Sequence, residues 1–503
     1  MKEVMYMNFA TVMKNAATEK YTENGAKAYC TTDNALLDMF ALGGAMRKRT
    51  EQDIIKKFEL AFKEDALLAT KMLFYIGNIR GGLGERRTFR TCLKWLAQNH
   101  SGIVLKNMPY IALFNRWDSV FELIGTPIEP SMWKLITDTL AKDATELTSA
   151  IQSNRKPQIS LLAKWLPSEN ASSKKTRKLA REVISKLEIS PRLYRKTLSA
   201  LRRALKVVER DMSANNWDKI YYPGVPSYAM KNYRNAFKSH DEERFNEFIG
   251  KAVKGEEKIH SETLYPYDIF EAYTTRDGLW SKPTMKPYDE ALEAQWKALP
   301  NYVNDGANIV VMADVSGSMY GRPLATSVSL ATYFAQRNNS IFKDLYMTFT
   351  NNPHFIDISK CTTLHSALET VTNTDMGFST DLEAAFNAIL NLATNNHISQ
   401  EDMPKALVVI SDMEINSYMY DRNLNFVDMM KKRFESAGYK MPKLVMWNVD
   451  ARHDTFLTKD NGVICVSGSS ASTFKTVIKN LTKDAYQTML DTLNDSMYDC
   501  ITI

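Results

Sequence analysis

Between residues 306 and 481, short apolar runs alternate with amphipathic segments, and this alternation constrains the fold more than any other feature of the chain. The runs are 308–313 (NIVVMA), 345–350 (LYMTFT), 406–410 (ALVVI), 443–449 (KLVMWNV) and 462–467 (GVICVS). Helices are expected at 325–336, 382–392, 424–437 and 472–481. Apart from 345–350, which alternates, the runs are apolar nearly throughout, as in strands buried on both faces of a parallel sheet. An α/β, Rossmann-like unit is therefore expected over residues 305–503. In such a unit ligands gather at the carboxyl ends of the strands.

Residues 1–261 carry a different period. Apolar residues recur at three and four, as in Leu37, Phe40 and Ala41 or Met72, Tyr75 and Ile76, which predicts helices. Gly81-Gly82, Pro109, Pro127, Pro130, Pro167, Pro191 and Pro223 punctuate them. Many short helices with brief loops predict a stacked all-α array, although no fixed repeat period is present. Residues 262–304 are rich in Pro, Tyr and Trp and are expected to be a connector packed between the two domains. At 503 residues the chain is long enough for two to four domains.

Charge divides along the same line. Residues 301–503 hold 16 Lys and Arg against 22 Asp and Glu, whereas the first 300 hold 48 against 36. The densest stretch, 155–210, has 16 bases and 4 acids. Such a surface suits either a polyanion or plain solvation. No run of about 18 apolar residues is present, so no membrane span is expected. The amino-terminal residues are polar where a signal peptide is apolar. The five cysteines, Cys30, Cys92, Cys361, Cys465 and Cys500, form no CxxC pair, which fits a reducing compartment. A cytoplasmic, intracellular protein is expected, and a monomer.

Asp314-Val315-Ser316-Gly317-Ser318 directly follows the first apolar run. Ser379-Thr380-Asp381 opens a helix, and Ser411-Asp412-Met413-Glu414 follows the ALVVI run. All three fall where a doubly wound fold gathers its loops. A small hard cation takes oxygen ligands in an octahedron at about 2.1 Å. Asp314 offers a carboxylate, Ser316 and Ser318 offer hydroxyls from one side of the loop, Thr380 a third hydroxyl and Asp412 a second carboxylate. The same residues would otherwise serve to satisfy loop amides.

This constellation resembles the metal-ion-dependent adhesion site of von Willebrand factor A domains. The resemblance implies that Asp314, Ser316, Ser318, Thr380 and Asp412 bind a divalent cation, Mg2+ or Mn2+, directly or through water. One departure is Gly377-Phe378-Ser379 before Thr380, which leaves open whether Ser379 or Thr380 faces the ion. Upstream stand Gly81-Gly82-Leu83-Gly84-Glu85-Arg86-Arg87, Phe114-Asn115-Arg116-Trp117-Asp118, Lys164-Trp165-Leu166-Pro167, Tyr194-Arg195-Lys196 and Leu201-Arg202-Arg203. In this order, ahead of an A-like domain, they resemble the TROVE module of Ro ribonucleoprotein autoantigens. They resemble still more a related family of TROVE-like plus A-domain proteins from plants, large DNA viruses and phages. That resemblance implies a HEAT-like ring or horseshoe closed by the A domain, binding small noncoding or misfolded RNA. For a viral or phage protein the compartment would be the host cytoplasm.

The residues offer one RNA surface of their own. Ser190 is an N-cap followed by a proline at the first helical position. At about 100° per residue, Arg192, Arg195, Lys196, Arg202, Arg203, Lys206 and Arg210 share an arc of about 120°. Leu193, Leu198, Leu201, Leu205 and Val208 fall outside it. This predicts one helix with a basic ridge over 192–210, suited to a phosphate backbone or, again, to solvent. Arg80, Arg86 and Arg87 are candidates for the same surface. Trp117 and Trp165 are expected to anchor helix packing.

The expected function is RNA binding on a basic helical scaffold beside a divalent-cation site. The alternative is a protein-interaction scaffold whose cation captures a carboxylate of an acidic partner, without RNA. Enzymatic activity is not expected. Only Asp381 and Glu414 are spare near the site, and the seven histidines form no ligand spacing such as HExxH.

Overall fold

The apolar runs become strands whose carboxyl ends lie together. The computed structural model describes residues 9–275, 282–303, 308–374, 376–377, 379–417, 425–460 and 462–503; Phe378, in the departure from the adhesion-site pattern, lies outside them. Strands β1 (Ile309–Asp314), β2 (Leu345–Phe349), β3 (His354–Asp357), β4 (Ala406–Ser411), β5 (Lys443–Asn448) and β6 (Ile464–Ser467) form one sheet. Their order is β6-β5-β4-β1-β2-β3. Ala313 lies opposite Ile410 and Asp314 opposite Phe349. The sheet is mixed rather than all-parallel. β3 runs antiparallel to β2 at the edge, with Leu345 opposite Asp357.

Successive strand residues point to opposite faces, and the two faces meet different cores. Ile309, Val311, Ala313, Val408, Ile410, Val445 and Trp447 enter the core shared with the amino-terminal helices. Met312, Leu407, Val409, Leu444 and Met446 face a second core, covered by helices Leu382–Asn395 and Phe426–Ser436. Helix Arg322–Arg337 lies on the first face, packed on β1 and β2.

The amino-terminal half is mainly helical. Helices Ala35–Leu42, Glu51–Glu64, Ala66–Gly77, Arg86–Asn99 and Ser101–Phe114 follow in series, and those from Glu51 onward pack on the next and the next but one. Thr50, Asp65 and Glu85 cap three of them, each side chain accepting a first-turn amide. This half is not purely α. Glu19–Tyr21 and Lys27–Tyr29 form an antiparallel hairpin, which is bridged to the α/β half through Tyr29 and Phe456.

The first core runs unbroken from Tyr29 through Leu201 to the sheet and on to Ile501. Helix Ala35–Leu42 lies against β6, where the Ser467 hydroxyl donates to Phe40 O at 3.2 Å and accepts from Gly44 N at 3.0 Å. A Cβ at Gly44 would come within 2.9 Å of Gly468 Cα, so this approach requires glycine. At the far end Tyr498 stacks on Phe114 at 5.4 Å and accepts a hydrogen bond from Asn78 Nδ2 at 3.1 Å. A separate core gathers Val208, Tyr222, Phe237, Phe245, Phe248 and Ala294. Among the described residues no helix is long and apolar enough to cross a membrane.

Candidate cation site and basic helices

β1 and β4 are neighbours whose following connections diverge, which makes a crevice at their carboxyl ends. Asp314 ends β1 there, fully buried. Its Oδ1 accepts from Ser316 N at 2.9 Å and its Oδ2 from Ser411 Oγ at 2.6 Å. The loop then makes a single tight turn, Gly317–Met319. Ser316 Oγ lies 3.3 Å from Ser318 Oγ, and Thr380 Oγ1 donates to Ser316 Oγ at 3.0 Å. Asp412 follows β4, also buried, and the Ser318 side chain is near enough to its carboxylate to favour the ionised form. Of these five residues only Ser318 is partly exposed, so the cluster opens to solvent on its side.

The structure therefore brings Asp314, Ser316, Ser318, Thr380 and Asp412 together. Thr380, not Ser379, turns inward; the Ser379 hydroxyl accepts from Asn416 Nδ2 instead. Asp381 is the N-cap of helix Leu382–Asn395 and accepts from Ala384 N at 2.8 Å. Glu414 is buried and holds Thr455 Oγ1 and Glu23 N. Among the described residues no group of three or more His, Cys, Asp and Glu is placed to hold a metal. The donor set is two carboxylates and three hydroxyls. Adjacent ligands of an octahedron at about 2.1 Å stand about 3.0 Å apart, close to the hydroxyl spacings of 3.0 and 3.3 Å. The set fits a small hard cation.

Charge is strained here. Burial first, and then the charge of Asp412, push the Asp314 carboxyl well above its ordinary range. Burial likewise raises Asp412, against the pull of Arg452. Arg452 Nη2 donates to Asp412 Oδ2 at 2.6 Å. No sequence signal pointed to Arg452, because the contact crosses from the loop after β5 to the loop after β4.

The expected basic ridge is corrected by the structure. The helix runs only from Pro191 to Ala204. Lys206 takes φ +52°, which ends the helix, and a separate short helix follows at Val208–Ser213. Arg202 turns inward, donating to Ala163 O at 2.9 Å, Leu166 O at 2.7 Å and Ser168 Oγ at 2.8 Å. Arg195 pairs with Glu169 at 2.5 Å and Arg210 with Asp211 at 2.9 Å. Lys206 sits over the Tyr221 ring at 5.1 Å. Arg87 donates to the carbonyls of Arg47 and Arg49. Arg86, Arg192, Lys196 and Arg203 remain exposed. Leu193, expected off the ridge, is half exposed, and Tyr194 is buried in its place, its hydroxyl donating to Pro167 O at 2.7 Å. Trp165 packs under the Arg116 guanidinium at 4.1 Å.

The preceding helix, Lys174–Lys186, carries more free charge. Lys174, Lys175, Lys178 and Arg181 are exposed and have no acidic partner among the described residues. Neither this helix nor Pro191–Ala204 has an acid in its first turn. Lys174, Lys175 and Arg192 instead stand at the positive ends of the helix dipoles, where a base costs about 0.3–1 kcal/mol. The sequence signal was available as a Ser173 N-cap followed by KKTRK.

Two family models match the chain. One, a domain of unknown function (DUF2828), matches residues 22–118 and 171–309; the other, a domain of unknown function (DUF7788), matches 308–498. An uncharacterized protein of Acanthamoeba polyphaga mimivirus is 26% identical over 498 residues, spanning 92% of this chain and 85% of the relative. A crystal structure of the Ro (RSR) protein of Deinococcus radiodurans superposes with a TM-score of 0.45 and 13% identity, covering 88% of this chain and 99% of that one.

Proposed function

We propose that the chain is a Ro-like RNA-binding scaffold, its helices stacked in HEAT-like fashion, with a divalent-cation site in an A-like α/β domain. The observation that carries the reading is the set of exposed, unpaired bases on two successive helices: Lys174, Lys175, Lys178, Arg181, Arg192, Lys196 and Arg203. None of the seven has a neutralising acid among the described residues, and Lys174, Lys175 and Arg192 are also held against helix dipoles; such bases go against local stability and suit a ligand that brings negative charge. The ligand class is small noncoding or misfolded RNA, which the TROVE-like sequence motifs support. The cation, Mg2+ or Mn2+, would be held by Asp314, Ser316, Ser318, Thr380 and Asp412, and would supply a positive centre open on the Ser318 side. The role is binding, not catalysis.

The test is to strip and sequence nucleic acid that copurifies with the protein, beside a variant carrying Lys174, Lys178, Arg181, Arg192, Lys196 and Arg203→Ala. A defined set of small RNAs, lost in the variant, supports the reading. With about six phosphates contacted on single strands, the log–log salt slope is about −4. A protein that ignores RNA at low salt, yet captures an acidic protein in a chelator-sensitive way, would overturn it in favour of the interaction scaffold.

A further inference from the structure

The loop after β5 sends a guanidinium into the candidate cation site. Arg452 Nη2 is 2.6 Å from Asp412 Oδ2, while Asp412 Oδ1 accepts from Glu414 N at 3.1 Å. Both oxygens of this buried carboxylate are thus engaged. Arg452 faces two other carboxylates at longer range, Glu23 Oε2 at 3.4 Å from Nη1 and Asp450 Oδ2 at 4.0 Å from Nε. Its Nε is buried without a hydrogen-bond partner. An unmatched buried N–H is costly, so the guanidinium is held short of its best geometry by its grip on Asp412.

Glu23 is placed to receive it. The tip of the amino-terminal hairpin is keyed to the loop after β4. Thr22 Oγ1 donates to Ile415 O at 2.6 Å, Asn24 Nδ2 to Glu414 O at 2.6 Å, and Glu23 N to Glu414 Oε2 at 2.7 Å. The free end of Glu23 meets His453 Nε2 at 2.9 Å and Arg452. The Asp450 oxygen that Arg452 faces, Oδ2, is already taken by Lys48 at 2.6 Å, whereas His453 meets Glu23 through Oε1 and Arg452 faces Oε2, which makes Glu23 the better harbour.

We infer that Arg452 is an internal counter-cation that sets the affinity of the site: it neutralises Asp412 in the cation-free protein and moves toward Glu23 when a divalent cation takes its place. This rests on the cation-site reading above. Two buried carboxylates this close need a positive charge. A guanidinium and a dication cannot share one carboxylate oxygen without strong repulsion. Arg452 is thus a positioning residue, acting through Asp412.

Mn2+ binding to the full chain, followed by isothermal titration calorimetry, tests this at fixed pH and salt. Arg452→Gln should tighten Mn2+ binding about tenfold, the repulsion of a unit charge about 5 Å from a dication even at the dielectric of water. Glu23→Gln, an isosteric change at an exposed position whose backbone bond to Glu414 is kept, should weaken it about threefold by removing the harbour. Arg452→Lys keeps the charge and should bind nearer the parent, and with Glu23→Gln it carries the test should Arg452→Gln fail to fold. Equal Mn2+ affinity across the parent, both Arg452 variants and Glu23→Gln would overturn the inference. Asp314→Ala separates the two readings. Loss of binding in Asp314→Ala with an indifferent Arg452 refutes only the counter-cation. No Mn2+ binding in any form, Arg452→Gln included, refutes the cation site and the counter-cation together.

Discussion

Arg202 and its exposed neighbours should separate cleanly under mutation. Arg202 donates three hydrogen bonds, two of them to main-chain carbonyls of the 163–166 turn. Hydrogen bonds from a charged donor contribute about 1.5–3 kcal/mol each and are not additive, so Arg202→Ala should cost about 3 kcal/mol. Spread over a 503-residue unfolding unit, with an entropy of about 2 cal/mol/K per residue, that is only about 3 °C in Tm. Hydrogen exchange is the sharper assay. At 1.4 kcal/mol per tenfold, protection across residues 162–204 should fall about 100-fold. Lys174, Lys178 and Arg181→Ala should leave that protection unchanged and make the RNA salt slope shallower by about 2, at 0.7 per phosphate. An Arg202→Ala variant with native protection and lost RNA affinity would show that this side chain faces ligand, and would refute its structural role.

Three further outcomes are expected. Asp314 has a raised carboxyl in the fold, pushed to about 7 by burial and Asp412, so its ionised form destabilises the cation-free protein above that pH. The penalty is full above about pH 7 and lifts as pH falls from there toward the ordinary value of 3.8; relative to Asp314→Asn, the chelator-treated parent should gain thermal stability over that window, and Mg2+ should flatten the difference. Gly84 has φ +61°, and a Cβ there would stand 1.6 Å from Tyr265 Oη. Gly84→Ala should cost about 3 kcal/mol in urea unfolding, and a cost below 0.5 kcal/mol would contradict the packing. Tyr498→Ala removes the ring stacked on Phe114 and should cost about 3–5 kcal/mol, with faster hydrogen exchange over residues 485–503.

What the sequence made legible was what local pattern encodes. Five strands and the three loops of the candidate site were readable because buried apolar runs and the polar residues after them are adjacent in the chain. β3 was not, because four residues with two exposed and one partly exposed side chain carry no strand pattern and pair only because β2 offers an edge. The hairpin at 19–29 is polar and held by bonds to residues nearly 400 positions away. The break after Ala204 was hidden for a different reason. The apolar period continues through Leu205 and Val208, yet Val207 N bonds to Arg202 O and Lys206 N to Arg203 O. That is a helix-ending turn of the kind usually marked by glycine, here with lysine in the left-handed position. No residue type announced it, so a ridge drawn over 192–210 was geometrically sound and structurally false.

The charge asymmetry along the chain is also not the asymmetry in space. Several bases of the first half are consumed against acids of the second: Lys48 on Asp450, and Arg49 and Lys57 on Asp454. These pairs lie on the seam where the two halves share one core, and Arg49 is almost fully buried there. Their charge is spent on joining the halves and does not reach a ligand. The bases left unneutralised on Lys174–Lys186 and Pro191–Ala204 belong to a segment held by internal contacts, as with Arg202 and Tyr194. Net charge by half therefore overstates the electrostatic attraction of the helical half. The quantity that bears on RNA binding is the count of bases facing water without an acid, and that count selects two helices, Lys174–Lys186 as well as Pro191–Ala204.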